Sequence, residues 1–362
     1  MDVHHDADRE HLHSLGYAQE LKRGMGTFSN FAISFSIISI LAGGFTSFWI
    51  GAYFGGPLVI TIGWLIVGVF ALLVGMSMGE ICSAYPTAGG LYFWSAKLAK
   101  RNAPLWSWFT GWFNFIGQIG VIASVDYALA KYTTRFINLY SSDPANPIIT
   151  EKPSRFFVVF LVMLALHGLL NTFGVRLVRL LGDVSVWWHV AGVAVIFVLL
   201  FVGPDTKQPV SYLFHYQNNG PWESSFYTFV LGFLLAQYTI TGFDASAHVS
   251  EETVGARVNA PKAIVRSIWI SAIAALVLNV GFLLAVPNVD GKDQLLALGG
   301  GGILGPVNIF QAVLDPWAVK LLVLISAVGQ FFCGLASITA NSRMVFGYRF
   351  SRGPRDWSSR SA

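Results

Sequence analysis

Gly242-Phe243-Asp244-Ala245-Ser246-Ala247-His248-Val249-Ser250-Glu251-Glu252 interrupts a run, Phe226 to Ile240, that otherwise has the apolarity of a membrane crossing. A glycine beside a threonine, Thr241, and close to an acid, Asp244, does not belong in an ordinary spanning helix. Backbone that leaves the helix at membrane depth finds no water for its N–H and C=O groups, so it is tolerated only where it lines a cavity. Secondary transporters use such breaks near the midplane to present carbonyls and amides to a solute. The stretch therefore points to an all-α, polytopic membrane protein that handles a small solute.

The rest of the chain agrees. Of 362 residues, 54% are hydrophobic and 12% charged, against about 25% charged in an ordinary soluble domain; the mean hydropathy is +0.58. Crossing a bilayer takes about 20 apolar residues. Eight runs qualify, at 28–54, 57–84, 105–139, 156–172, 183–202, 226–247, 264–286 and 317–347. Several are long enough to need tilt or a break. Both cysteines, Cys82 and Cys333, fall inside these runs and imply no disulfide framework. The polar N-terminus lacks the basic-then-apolar pattern of a signal peptide, so the first span is expected to act as the insertion signal.

Net charge is +4, and its distribution explains it. With the N-terminus inside, 16 of the 23 lysines and arginines fall on the cytoplasmic side, as the positive-inside rule expects. No clustered basic face offers base-reading chemistry, so nucleic acid is not an expected partner. The expected organisation is a cytoplasmic tail, 1–27, with an interfacial amphipathic helix near 12–23; a transmembrane domain, 28–347; and a basic, Ser-rich tail, 348–362. The expected location is the plasma membrane, with the lipid bilayer and a small solute as partners.

The first span carries Ser34, Ser36 and Ser39 and then Ile40, Leu41, Ala42, Gly43 and Gly44. Paired glycines there serve either close helix packing or local unwinding. A second break in the sixth span favours unwinding, because corresponding breaks in two halves mark a transporter's binding site. Ionisable groups at membrane depth are Asp126, His167, His189, Asp244 and His248, and such groups default to function. His189 reads either as a proton-exchanging group in place of a coupling cation or as a neutral, hydrogen-bonded histidine. Asp244 either serves the site or caps the second half-helix. Glu80, near the end of the second span, reads as a structural anchor or gate ion pair, and Asp126 as a coupling or gating group.

Gly299-Gly300-Gly301-Gly302 lacks the Gly-Lys-Ser/Thr ending of a phosphate loop, and no catalytic motif appears. No enzyme chemistry and no cofactor are expected. The N-terminal histidines His4, His5, His11 and His13 lack metal-site spacing, so no metal is expected either.

The sequence resembles the amino acid–polyamine–organocation superfamily, and within it the amino acid/choline permease branch of bacterial permeases, fungal GABA and choline permeases and plant bidirectional amino acid transporters. The matching blocks are Leu15-Gly16-Tyr17 with Glu20-Leu21-Lys22-Arg23, the run from Asn30 to Ser39, Gly79-Glu80-Ile81-Cys82-Ser83 with Tyr85-Pro86-Thr87, Gly111-Trp112-Phe113-Asn114, Gln237 through His248, and Ala340-Asn341-Ser342-Arg343-Met344. The resemblance implies two inverted five-helix repeats plus two further helices, with substrate between the unwound parts of helices 1 and 6, and helices 3 and 8 closing the pocket. It places Ile40, Leu41, Ala42, Gly43 and Gly44 near a substrate carboxylate. Tyr238, Thr239, Ile240, Thr241 and Gly242 fall near its amine or side chain. The family has about twelve spans where eight are expected here, and the resemblance fades after Arg352. The chain end reads either as a shifted frame or truncated gene or as a genuine short form. The resemblance implies secondary active transport of amino acids or related amines (GABA, choline) by alternating access, driven by a proton or another solute; the alternative is a non-transporting truncated fragment or the partner subunit of a split permease.

Overall fold

The computed structural model describes residues 3–15, 17, 21–143, 146–150, 152–173 and 175–350. α1 (Val3–Ser14) precedes the first span, which consists of α2 (Thr27–Ile37), a π-helical turn (Ile40–Gly44) and α3 (Phe45–Tyr53). Strand β1 (Phe54–Gly55), the single turn α4 (Gly56–Leu58) and a second π-turn (Val59–Gly63) lead into α5 (Trp64–Ala84). A short α6 (Leu91–Leu98) and the long helices α7 (Ala103–Asn138), α8 (Pro153–Phe173) and α9 (Val175–Val202) complete the first half.

The second half opens with strand β2 (Gln217–Asn218) and three short helices, α10 (Ser225–Gly232), α11 (Leu234–Thr239) and α12 (Ala245–His248). Next come α13 (Ala256–Ala285), the hairpin of β3 (Asn288–Val289) and β4 (Lys292–Asp293), α14 (Gly305–Val313) and α15 (Pro316–Phe350). β1 pairs antiparallel with β2, Phe54 opposite Asn218, and so ties the two halves together at one end of the bundle.

Seven stretches are long and apolar enough to cross a membrane, one fewer than the eight runs in the sequence. The difference is the sixth run, which the chain delivers in helical pieces of 8, 6 and 4 residues, too short to cross alone. The expected tail from 348 begins inside α15, which runs to Phe350; residues 351–362 lie outside the described residues. Of the helix expected at 12–23, residues 16 and 18–20 lie outside the described residues; an N-terminal helix forms over Val3–Ser14. Gly16 is a poor helix former just beyond its end, and Leu12 is fully buried against the bundle.

The spans show lipid an apolar surface: Phe70, Phe113, Val158 and Trp187 are all more than half exposed. Lipid tails are as apolar as these side chains, so helix association rests on close packing instead of water exclusion. α5 shows how. A Cβ built on Gly75 would lie 2.2 Å from Ile268 Cδ1, and one on Gly68 3.5 Å from Ala272 Cβ, so this face of α5 seats directly on α13. Near the β1–β2 end, Phe45, Phe282 and Phe310 cluster at centroid spacings of 5.4–6.0 Å, edge-on, tilted and stacked, each pair worth about 0.5–1.5 kcal/mol.

At the opposite end a backbone strap crosses the bundle. Gly24 and Met25 amides donate to Glu252 O (2.9 and 2.8 Å), and the Val254 amide donates to Met25 O (3.0 Å). The Arg23 guanidinium donates to the Thr253 carbonyl and pairs with Asp8 of α1 at 3.3 Å, and Asp8 in turn accepts the Gly255 amide. Arg343 of α15 pairs with Glu252. Burial, and then the Glu251 carboxylate beside it, push the Tyr17 phenol above its ordinary range.

Candidate functional site

α2 ends at Ile37, and at Ser39 the backbone turns sharply (φ −13°, ψ 106°) before the π-turn Ile40–Gly44. Groups from other helices hold this departure. Ser39 Oγ accepts the Ala42 amide (3.0 Å) and lies 2.6 Å from His189 Nε2 of α9. His189 Nδ1 is 2.8 Å from Ser185 O. A carbonyl can only accept, so Nδ1 carries the hydrogen and Nε2 receives the Ser39 hydroxyl. The freed Ile37 carbonyl accepts the Cys333 thiol of α15 at 3.3 Å. The departure thus lies before Gly43 and Gly44, and Gly43 serves close approach: a Cβ there would lie 2.9 Å from Thr239 Cα.

The second break begins where α11 ends, at Thr239. Gly242 has φ +87°, the left-handed region that glycine adopts without strain. A Cβ on it would lie 2.2 Å from Ile37 Cγ2. The two interrupted helices therefore touch twice, Gly43 on Thr239 and Gly242 on Ile37.

α12 resumes at Ala245, and its start is satisfied from α2. Ser34 Oγ accepts the Ser246 amide (2.9 Å) and donates to Phe243 O (2.9 Å), while Asn30 Nδ2 donates to Ser246 O (3.0 Å) and Thr253 Oγ1 (2.8 Å). Asp244 makes no capping hydrogen bond. Its carboxylate is left facing outward from the helix end, 3.3 Å from His248 Nε2, while His248 Nδ1 lies 3.0 Å from Ala88 O.

Beside the second break lies a cavity of about 310 Å³, at the lower end of the ~300–1,000 Å³ typical of small-molecule sites. Ile37, Thr241, Gly242, Phe243 and Asp244 form one wall and Asn114, Gly117, Gln118 and Val121 of α7 the other. Asn114 Nδ2 is buried there without a hydrogen-bond partner. Tyr238 bridges to α7, its hydroxyl 2.6 Å from Ser124 Oγ. Thr239 spends its hydroxyl on Leu235 O (2.7 Å) in its own helix.

The structure brings Gly43 against Thr239, His189 to the first break, and Thr241, Gly242 and Asp244 to the cavity. Ile40, Leu41, Ala42 and Gly44 are buried in the π-turn, with Leu41 packed on Gly329 of α15. Tyr238 and Ile240 flank the second break. Two residues stand apart. Asp126 pairs with His167 (2.8 Å) away from the cavity, and Glu80 is exposed on α5 with no ion pair among the described residues. Asn114, part of a matching block, and Gln118 are not among the site residues expected from the sequence. Their signal was available: with Gly117 they sit at i, i+3 and i+4, one face of a helix.

The model for the amino acid permease family matches residues 25–352. The chain belongs to that family. Over 356 residues it is 42% identical to "Amino-acid permease BAT1" of Arabidopsis thaliana, covering 96% of this chain and 68% of that protein. It is 29% identical to the "GABA-specific permease" of Saccharomyces cerevisiae, covering 96% of this chain and 60% of the relative. In fold it is similar to the nucleobase-cation-symport-1 transporter MHP1, solved closed with bromovinylhydantoin bound (TM-score 0.53, 11% identity, 90% of this chain and 67% of that one). The family model and the curated relatives make the chain a multi-pass membrane protein of the permease class, within the amino acid–polyamine–organocation superfamily named above.

Proposed function

We propose that this permease binds an amino acid or a related amine (GABA and choline included) between its two interrupted helices and carries it across the plasma membrane by alternating access. The observation that carries the reading is the paired break: two interrupted helices that touch each other, the second lining a cavity of about 310 Å³ whose largely apolar walls carry Asn114, Gln118, Thr241 and Asp244. Backbone amides of the π-turn, those of Ala42 and Gly43 once released from Ser39, would meet a carboxylate, and carbonyls of residues 238–241 an ammonium. Asp244, relieved of capping by Ser34, supplies the one carboxylate on the cavity wall and would favour a cationic group. Tyr238, Asn114 and Gln118 would shape the side-chain end. His189 positions Ser39 and through it the first break. The basic-residue asymmetry supports a cytoplasmic N-terminus, and the organisation into a tail before 27, a transporter domain to 347 and a basic tail stays part of this reading.

The test is equilibrium binding of labelled L-alanine, GABA, choline and spermidine to the purified chain in lipid nanodiscs. At least one should bind, and Gly242→Val should abolish that binding. Binding that survives Gly242→Val unchanged would move the site elsewhere.

A further inference from the structure

α8 runs along the lipid-facing outside of the bundle, and His167 is its single fully buried residue. A lone inward histidine on a lipid-facing helix is costly and calls for a reason. His167 Nδ1 lies 2.8 Å from Asp126 Oδ1 of α7, and both side chains are 0% exposed. The Phe331 ring covers the histidine at 4.7 Å. Gly334, also on α15, closes the third side: a Cβ there would lie 2.5 Å from His167 Cε1 and 2.7 Å from Asp126 Oδ1. Two buried atoms are left without partners, Asp126 Oδ2 and His167 Nε2.

The charge of this pair follows from its bonds. An ionised carboxylate only accepts, so Nδ1 holds the hydrogen and Nε2 presents a bare lone pair. In that form the pair carries one net negative charge in a low-dielectric interior, which is strongly disfavoured. One proton from water, added at Nε2 with no other bond changed, gives an imidazolium–carboxylate pair of zero net charge. No described ion pair brings a lysine or arginine to do this instead. Lys131 of α7 turns to the Phe156 ring (4.7 Å), and the Tyr132 hydroxyl donates to Ile303 O (3.1 Å). Arg155 stands at the far end of α8, and the π-turn Ile40–Gly44 holds no titratable group. From α15 the facing titratable group is the Cys333 thiol, packed with Val125 and Ala42.

Cys333 and Gly334 make the pair more than a local feature. Gly334 sits on the dyad, while its chain neighbour Cys333 donates to Ile37 O at the first break. One turn of α15 therefore touches both. We propose that Asp126 and His167 form a one-proton carrier, distinct from the solute cavity, whose proton affinity depends on how α15 seats on it at Gly334. The proton site stands on this geometry alone; its coupling to the solute rests on the transport reading above.

The test uses the purified chain in lipid and needs no transport. Infrared difference spectra taken between about pH 4 and 9, spanning the ordinary carboxylate and imidazole ranges, should show carboxylate and imidazole bands titrating together as one proton. Those joint bands should vanish in both Asp126→Asn and His167→Gln, and Gly334→Ala should move the midpoint by about one pH unit, a tenfold change in proton affinity. The exchanged pair, Asp126→His with His167→Asp, should restore the joint titration and guards against loss through misfolding. A wild-type spectrum matched by Asp126→Asn, or a folded exchanged pair without the joint titration, overturns the proton site. An unmoved midpoint in Gly334→Ala overturns the link to α15. Labelled L-alanine and GABA binding, measured in parallel, separates the two readings: titration without solute binding sinks the solute site and leaves the carrier, and binding without titration does the reverse.

Discussion

His189 and His167 are both histidines at membrane depth, both nearly inaccessible (1% and 0% exposed), and both project from a mostly apolar helix toward α15 or the first break. Their surroundings differ in one respect. His189 has a serine oxygen for each ring nitrogen, Ser185 O and Ser39 Oγ, so the neutral ring is fully satisfied and fixes a backbone turn. His167 has a carboxylate on one nitrogen and nothing on the other. Burial of an ionisable group is thus no guide to its role. What separates the two is whether the hydrogen-bond inventory closes, since a buried orphan costs about 1–3 kcal/mol and persists only where something else gains from it.

The largest effect lies at the second break, which packs on the end of α2 just before the turn that His189 helps to hold. Gly242→Val places a branched side chain in a left-handed conformation and against Ile37. Strain of about 1–2 kcal/mol and overpacking of about 1–3 kcal/mol together predict a loss of solute affinity of roughly 30-fold or more, seen by equilibrium binding with abundance in the membrane retained. Gly43→Leu follows, since its side chain must displace Thr239; about 1–3 kcal/mol of overpacking should weaken binding roughly 5- to 150-fold without preventing insertion. Solute affinity unchanged in either variant would return that glycine to a plain packing role.

The contrast between the histidines is sharpened by making the same change twice. His167→Gln should flatten the pH dependence of solute binding, whereas His189→Gln should leave that dependence intact and lower thermal stability by about 1 kcal/mol, the net worth of one hydrogen bond. The reverse pattern would show that His189 carries the exchangeable proton after all. The smallest effect belongs to Thr241→Val, which keeps shape and removes one hydroxyl from the cavity wall. It should weaken solute binding about 2- to 12-fold, the worth of roughly 0.5–1.5 kcal/mol; no change would remove Thr241 from the solute's contacts.

The spans were legible because a bilayer demands apolar runs of fixed length, and the second break because Thr241, Gly242 and Asp244 violate that demand within four residues. The first break was read from Gly43 and Gly44 and falls earlier, at Ser39. A serine gives little warning by itself: what makes it a turning point is His189, 150 residues away. Capping at α12 was hidden for the same reason, because the local candidate, Asp244, is displaced by Ser34 from another helix. Asp126 and His167 were each visible as membrane-depth ionisable groups. Their pairing, and the glycine that lets α15 reach them, exist only once three helices are assembled.

The strap between residues 23–25 and 252–254 sets a timetable for biosynthesis. Arg23 leaves the ribosome 230 residues before its acceptor, Thr253. At roughly 5–20 residues per second that interval is on the order of 10–50 s. For most of it the first span is already made while the Gly24 and Met25 amides await Glu252. The contacts of the N-terminal segment with Glu252, Thr253 and Val254 can therefore close only after the interrupted sixth span has been made.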